Sequence, residues 1–187
     1  YMAQQGSNNA PQKSKVYTHD IDEQAHNLTQ WQQKYDQVSD GRFYGCIEGV
    51  NYNDIHAFKE YTERALRQQC NIAPNSIWLG IPSQSQQSKI NGLDVASNQF
   101  MCRTSSSYFE LITPEQFDIY GLVIDWHSIE YMAQLQGVTI KNLTSAQSAR
   151  LSVSDSSLQT ARQIINSMVA CKGFGLKPES QQDMLSM

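Results

Sequence analysis

The side chains able to do chemistry here are four histidines, four cysteines and a few acidic, basic and aromatic residues on apolar segments. His19, His26, His56 and His127 never form a His-x-His pair with an acid and a further His downstream, the pattern that makes ligands converge on a metal. Cys46, Cys70, Cys102 and Cys171 stand far apart without a Cys-x-x-Cys pair, so they read as reduced, mostly buried thiols. No serine elbow, Cys–His pair, phosphate-cradling glycine loop or His-Glu-x-x-His run occurs. The expectation is no catalytic residue, no metal and no cofactor.

Recognition of a small molecule is the chemistry that remains, and Glu48, Glu60, Arg64 and Trp78 are the candidate ligand-binding residues. A carboxylate beside an aromatic face stabilises a buried cation, so Glu48 or Glu60 with Trp78 would suit an amine or amino alcohol. Arg64 or Arg103 would suit an acidic ligand instead. Glu48 and Glu60 sit on neighbouring predicted strands and could face each other, but paired carboxylates do acid–base work only if one has a raised pKa. Next to Lys59 and Arg64 both also read as solvated glutamates. His56, on a strand, reads as a surface or satisfied core residue rather than a ligand. The strand face that points inward is not fixed by the pattern alone.

The surrounding composition narrows the partners. A formal net charge of −4 and an isoelectric point near 5.5, with 14 scattered basic residues, do not make a nucleic-acid surface, because phosphate contact needs clustered Lys and Arg. The 187 residues, 40% of them hydrophobic, suffice for one domain with a real core and short appendages. No apolar run has the length of a membrane span and no signal-peptide pattern is present, so no membrane partner and a cytoplasmic location are expected. Asn142-Leu-Thr144 matches a glycosylation acceptor but has no meaning in that compartment.

Residues 1–15 are polar and aperiodic and read as a flexible leader. Asp20 and Glu23 form a capping-box pattern, and Ile21, Ala25, Leu28, Trp31 and Tyr35 fall at helical spacing up to the Asp40-Gly41 turn. Phe43–Tyr52 and Ile55–Glu63 read as a hairpin about Asn53-Asp54, and Leu66–Cys70 either continues its second strand or begins an excursion. Further short strands are expected at Ser76–Pro82, Gln99–Thr104, Phe109–Ile112 and on to Ile124, with an Asn91-Gly92 hairpin and a Thr113-Pro114 turn. Ser83–Lys89 reads as a mobile polar loop. A helix from about Ser128 to Gln136 stops at Gly137, and a second begins near Asp155-Ser156. The second carries Leu158, Ala161, Ile164, Ile165, Met168 and Val169 on one stripe. That stripe packs either on its own domain or on the same helix of a second copy, which would make a homodimer.

Many short strands with turns between them argue a sandwich or small barrel. The fold class expected is therefore α+β: a small β-barrel or sandwich preceded by one helix and followed by two. Its divisions are a leader (1–15), a sensory domain (16–137), a helical dimerisation segment (138–173) and a linker (174–187).

Gly41-Arg-Phe-Tyr-Gly45, Leu66-Arg-Gln68, Ile77-Trp-Leu-Gly-Ile-Pro82, Ile90-Asn-Gly92 and Phe109-Glu-Leu-Ile-Thr-Pro-Glu-Gln-Phe-Asp118 occur in the order found in one known family. Together they resemble the N-terminal sensory region of AraC/XylS-type transcription regulators, nearest to the ethanolamine-operon regulator branch, from about Val16 to Gly137. The resemblance implies a cupin-like barrel holding a small-molecule effector, helices that dimerise, and DNA contact through a separate domain of two helix-turn-helix units. The fourteen residues after Gly173 are too few for one such unit, so the chain reads as a sensor domain without its DNA-binding partner. The rival expectations are a stand-alone cupin-like enzyme and a structural dimerisation module whose barrel is filled by its own side chains.

Overall fold

A computed structural model describes residues 10–28, 31–83, 87–105, 108–137 and 149–170. The chain alternates inward apolar with outward polar residues over most strands, and that period of two closes two antiparallel sheets over a shared interior. The larger sheet runs in the order β1 (Gln12–Thr18), β3 (Gly45–Tyr52), β4 (Ile55–Thr62), β11 (Phe117–Asp125), β6 (Ser76–Pro82), β9 (Gln99–Thr104) and β12 (Arg150–Ser152). The smaller runs β2 (Trp31–Gln37), β5 (Leu66–Ile72), β10 (Phe109–Thr113), β7 (Lys89–Ile90) and β8 (Leu93–Asp94). Helix α1 (Ile21–His26) precedes the main strands, and α2 (Trp126–Gln136) and α3 (Asp155–Ala170) follow them. This is the α+β sandwich that the strand spacing predicts.

Turn chemistry sets the registers. Asn53 adopts φ 51° in the β3–β4 turn, while Asn91 (φ 48°) and Gly92 (φ 78°) make the left-handed pair that joins β7 to β8. In the β3–β4 hairpin Tyr52 pairs with Ile55, Glu48 with Lys59 and Ile47 with Glu60. Glu48 and Glu60 therefore lie on opposite faces of the sheet, and the possibility that they face each other is removed.

Two sequence expectations change. The helix beginning at Asp20 ends at His26, and Trp31 and Tyr35 belong to strand β2, paired with Ile72 and Gln68 of β5. Asp20 does cap α1, accepting from the Asp22 and Glu23 backbone N–H groups at 2.8 and 3.1 Å. The expected leader is also shorter, because Gln12 to Thr18 form an edge strand on β3. Leu66–Cys70, left open between two readings, lies in its own strand β5. The readings for residues 1–9, 84–86, 138–148 and 171–187 lie outside the described residues.

Two apolar layers result. The interior between the sheets gathers Ile47, Phe58, Trp78, Met101, Phe117, Ile119 and Val123 from one side and Trp31, Cys70, Ile72, Ile90, Phe109 and Leu111 from the other. The second layer lies on the outer face of the large sheet, where Leu158, Ile165 and Val169 of α3 pack on Val50, Ala57 and Ile81. Ile165 is 1% exposed there, so the inner part of the α3 stripe is used within the domain and is not free for a second copy. Ile164, by contrast, is exposed. On α2 no residue is buried, and Tyr131, Met132 and Leu135 are exposed. No helix among the described residues is long and apolar enough to cross a membrane.

Candidate functional site

Alternation along the strands decides which polar groups enter the interior. On β4 the inward register carries Phe58, Glu60 and Thr62, opposite Gly121, Ile119 and Phe117 of β11. On β2 it carries Trp31, Gln33 and Tyr35, opposite Ile72, Cys70 and Gln68 of β5. On β10 it carries Phe109, Leu111 and Thr113, opposite Cys70, Gln68 and Leu66. Three glutamine and tyrosine side chains and one carboxylate thus share a space otherwise walled by rings and aliphatic groups.

Glu60 is the centre of this polar cluster and only 4% exposed. The Tyr35 hydroxyl donates towards its two carboxyl oxygens, at 3.1 and 2.9 Å, and Gln24 Nε2 donates to Oε2 at 3.1 Å. The same Tyr35 hydroxyl is 3.2 Å from Gln33 Oε1, so its one proton is shared between competing acceptors. Gln68 Nε2 donates to Thr113 Oγ1 at 3.2 Å. Burial raises the Glu60 pKa to about 7, against the two hydrogen bonds that favour its ionised form. Burial first, and then the Glu60 charge, push Tyr35 and Cys70 well above their ordinary values.

Aromatic rings close the cluster in. Trp31 meets Trp78 edge-on with centroids 5.4 Å apart, and Trp78 stacks on Phe109 at 5.0 Å. Phe58 meets Trp31 edge-on at 5.9 Å. The rings fit because Gly80 and Gly121 pair across β6 and β11: a Cβ at Gly121 would stand 2.1 Å from Phe58 Cζ, and one at Gly80 2.2 Å from Trp78 Cζ2. The remaining cavity, lined by Glu60, Gln33, Gln68, Thr113, Trp31, Trp78 and Phe58 among others, measures about 10 Å³, room for about one water.

The cluster is incompletely paired. Among the described residues, Trp31 Nε1, Trp78 Nε1 and Gln33 Nε2 are buried without a hydrogen-bond partner, and all three residues line the cavity. Buried polar groups are ordinarily satisfied, and each one left without a partner costs about 1–3 kcal/mol. Trp31 also lines a surface groove of about 430 Å³ with Gln32, Asn71, Pro74, Asn75 and Ser105. Trp31 thus lines both the cavity and the groove.

Of the four candidate residues, Glu60 and Trp78 face this cavity, and Glu48 and Arg64 do not. Glu48 points out from the large sheet and pairs with Lys15 Nζ at 3.1 Å. Arg64 lies beyond β4, donating from Nε to the Arg42 carbonyl at 3.0 Å and reaching Glu115 at 3.5 Å. Arg103 stands opposite Trp78 in the β6–β9 register. His56 bonds Asn51 Oδ1 at 2.7 Å and stacks on Phe58, with burial lowering its pKa. Among the described residues no three His, Cys, Asp or Glu side chains cluster as a metal site. Sequence reasoning missed Gln24, Gln33, Tyr35, Gln68 and Thr113. Gln68 was accessible to it: in Leu66-Arg-Gln-Gln-Cys-Asn-Ile72 it stands in phase with Leu66, Cys70 and Ile72.

A second concavity, of about 560 Å³, lies between α2 and the β3–β4 turn and is lined by Tyr52, Ile55, Ile124, Ile129, Met132 and Ala133. It is apolar and open, without a buried ionisable group.

No protein-family model matches the chain. Among solved structures, an AraC-like transcriptional activator, CuxR, superposes with a TM-score of 0.50 at 16% identity, over 88% of this chain and 73% of that one. Oxalate decarboxylase from Bacillus subtilis matches less fully, with a TM-score of 0.29 at 14% identity over 63% of this chain and 38% of that one. Over the matched part the chain shares its fold with that AraC-like activator, and it encloses a polar cluster between its sheets.

Proposed function

We propose that this chain is the effector-binding domain of an AraC-type transcriptional regulator, a non-enzymatic sensor of a small molecule. The observation that carries the reading is Glu60 with its polar neighbours, buried among aromatic rings and left with unpaired donors. A domain built for stability alone gains by replacing such groups with apolar ones of similar shape. The shared fold with an AraC-like activator and the ordered sequence segments support the same reading, and the segments alone support the ethanolamine-operon regulator branch. DNA contact falls to a domain other than this acidic one, and the site of action is the cytoplasm. A ligand in the barrel would bias that domain only by binding one arrangement of barrel and helices better than another.

Dimerisation belongs to the proposal, with its contact moved from α3 to α2, whose exposed Tyr131, Met132 and Leu135 supply an apolar face to a second copy. Sedimentation should show a dimer that Leu135→Glu dissociates without loss of circular dichroism. A monomeric wild type at tens of micromolar, on the order where weak pairs dissociate, removes the dimer.

A purely structural barrel is the second reading, favoured by the water-sized cavity. A thermal-shift and ligand-observed NMR screen of amines, amino alcohols, carboxylates and neutral polar compounds separates the two. The sensor reading expects a binder whose effect Glu60→Leu and Trp78→Ala abolish. A screen without any binder, or binders indifferent to both variants, leaves the structural barrel.

A further inference from the structure

From the pairing state of the interior groups we infer that the site takes an uncharged ligand, with a hydroxyl- or carboxamide-bearing head on a compact apolar body, admitted by displacement of Trp31. The inference rests on the effector-binding reading and names the ligand class for that site. Among the described residues that line the cavity the unpaired groups are donors: the two indole N–H groups, of residues 8% and 1% exposed, and the Gln33 amide NH2. Gln24 Oε1, an unpaired acceptor, belongs to the cluster but does not line the cavity. The donors call for acceptor oxygen. Glu60 is the one ionisable residue among the described residues lining the cavity, and its oxygens keep lone pairs beyond those used by Tyr35 and Gln24, so they call for a donor.

Charged heads fit this set poorly. An ammonium is all donor; it would pair with Glu60 and leave the indole and Gln33 N–H groups facing another donor. A carboxylate would satisfy those N–H groups, yet among the described residues no Lys, Arg or His lines the cavity to offset its desolvation, and Glu60 adds a like charge when ionised. A hydroxyl or carboxamide both accepts and donates, so it meets both needs without bringing charge into the barrel.

Size decides the entry route. The cavity holds about one water while Trp31 stays in place, whereas the groove beyond Trp31 has about 430 Å³. Trp31 is the residue common to both linings, so movement of its ring is the proposed way to join them, with Trp78, Phe58 and Phe117 as walls for the ligand body.

The test uses the full chain carrying Trp126→Phe, so that Trp31 and Trp78 supply the tryptophan emission, and three probes that share a ring: benzamide, benzylamine and benzoate. Benzamide should raise the melting temperature and shift the emission. Both charged probes should bind about tenfold more weakly or worse, the range of one lost buried hydrogen bond or more. Trp31→Phe and Gln33→Leu, followed by thermal shift and checked by circular dichroism, should each weaken benzamide about three- to tenfold. A charged probe binding as tightly as benzamide, or benzamide unaffected by both variants, overturns the inference. If the charged probe responds to the variants, the sensor reading survives and only the ligand class falls. Silence from all three probes also sinks the class, and the reading beneath it goes only if the wider screen yields no binder.

Discussion

Two apolar layers share the large sheet, and they are built on different terms. Under α3, Leu158, Ile165 and Val169 meet Val50, Ala57 and Ile81, all apolar. Between the sheets, an equally buried layer of rings encloses Glu60, Gln68, Thr113 and Tyr35. Both layers remove apolar surface from water and so stabilise the fold. Only the inner one carries groups whose burial opposes folding, and whose unpaired donors give it a use for a ligand. The difference separates a layer that holds the domain together from one arranged to recognise.

The largest test of that contrast is Ile165→Glu. A charge in the outer layer has no partner, so a loss of about 3–5 kcal/mol or undocking of α3 is expected in urea unfolding. A loss below about 1 kcal/mol would mean that the layer opens readily to water and is not the firm one.

Glu60→Gln follows in size, and its effect depends on pH. The folded pKa of about 7 lies above the ordinary 4.5, so between these values the folded carboxyl keeps a proton that the unfolded one has released. Stability from this group is full below about 4.5 and falls as pH rises towards about 7. At about pH 8 the glutamine variant should be the more stable protein by about 2–4 kcal/mol, an advantage that shrinks towards about pH 4. A difference in urea midpoint that stays flat with pH would show that Glu60 is not desolvated by the interior.

Gly121→Ala probes the ring packing itself. Its Cβ would overlap the Phe58 ring, so a loss of about 1–3 kcal/mol in thermal or urea unfolding is expected, with displacement of the ring that walls the cavity. An unchanged midpoint would show that the inner layer has slack. The smallest effect belongs to Glu48→Gln, which removes an exposed pair with Lys15. Its expected cost is under about 0.5 kcal/mol, with ligand binding unaltered. A change in ligand affinity would bring the outer face back into the site.

Much of the architecture was legible residue by residue. Asn53-Asp54, Asn91-Gly92, Thr113-Pro114 and Gly137 each stand at a turn or helix end, because left-handed or preset backbone angles restrict the residues that can occupy them. A two-residue turn at Asn53-Asp54 places Glu48 opposite Lys59, which already puts Glu60 on the other face. Trp31 and Tyr35 misled because a spacing of four suits a helix face and, equally, one side of a strand.

The sequence by itself determined the strand-rich α+β class, most turns and the presence of an amphipathic last helix, since these depend on local backbone preference and on hydrophobic period. Only the tertiary structure decided that the stripe of α3 covers its own sheet, that Glu48 and Arg64 stay outside, and that Glu60 meets Tyr35 and Gln24. The Glu60 contacts alone join residues 25 and 36 positions apart. They depend on how two sheets face each other, which no local preference specifies.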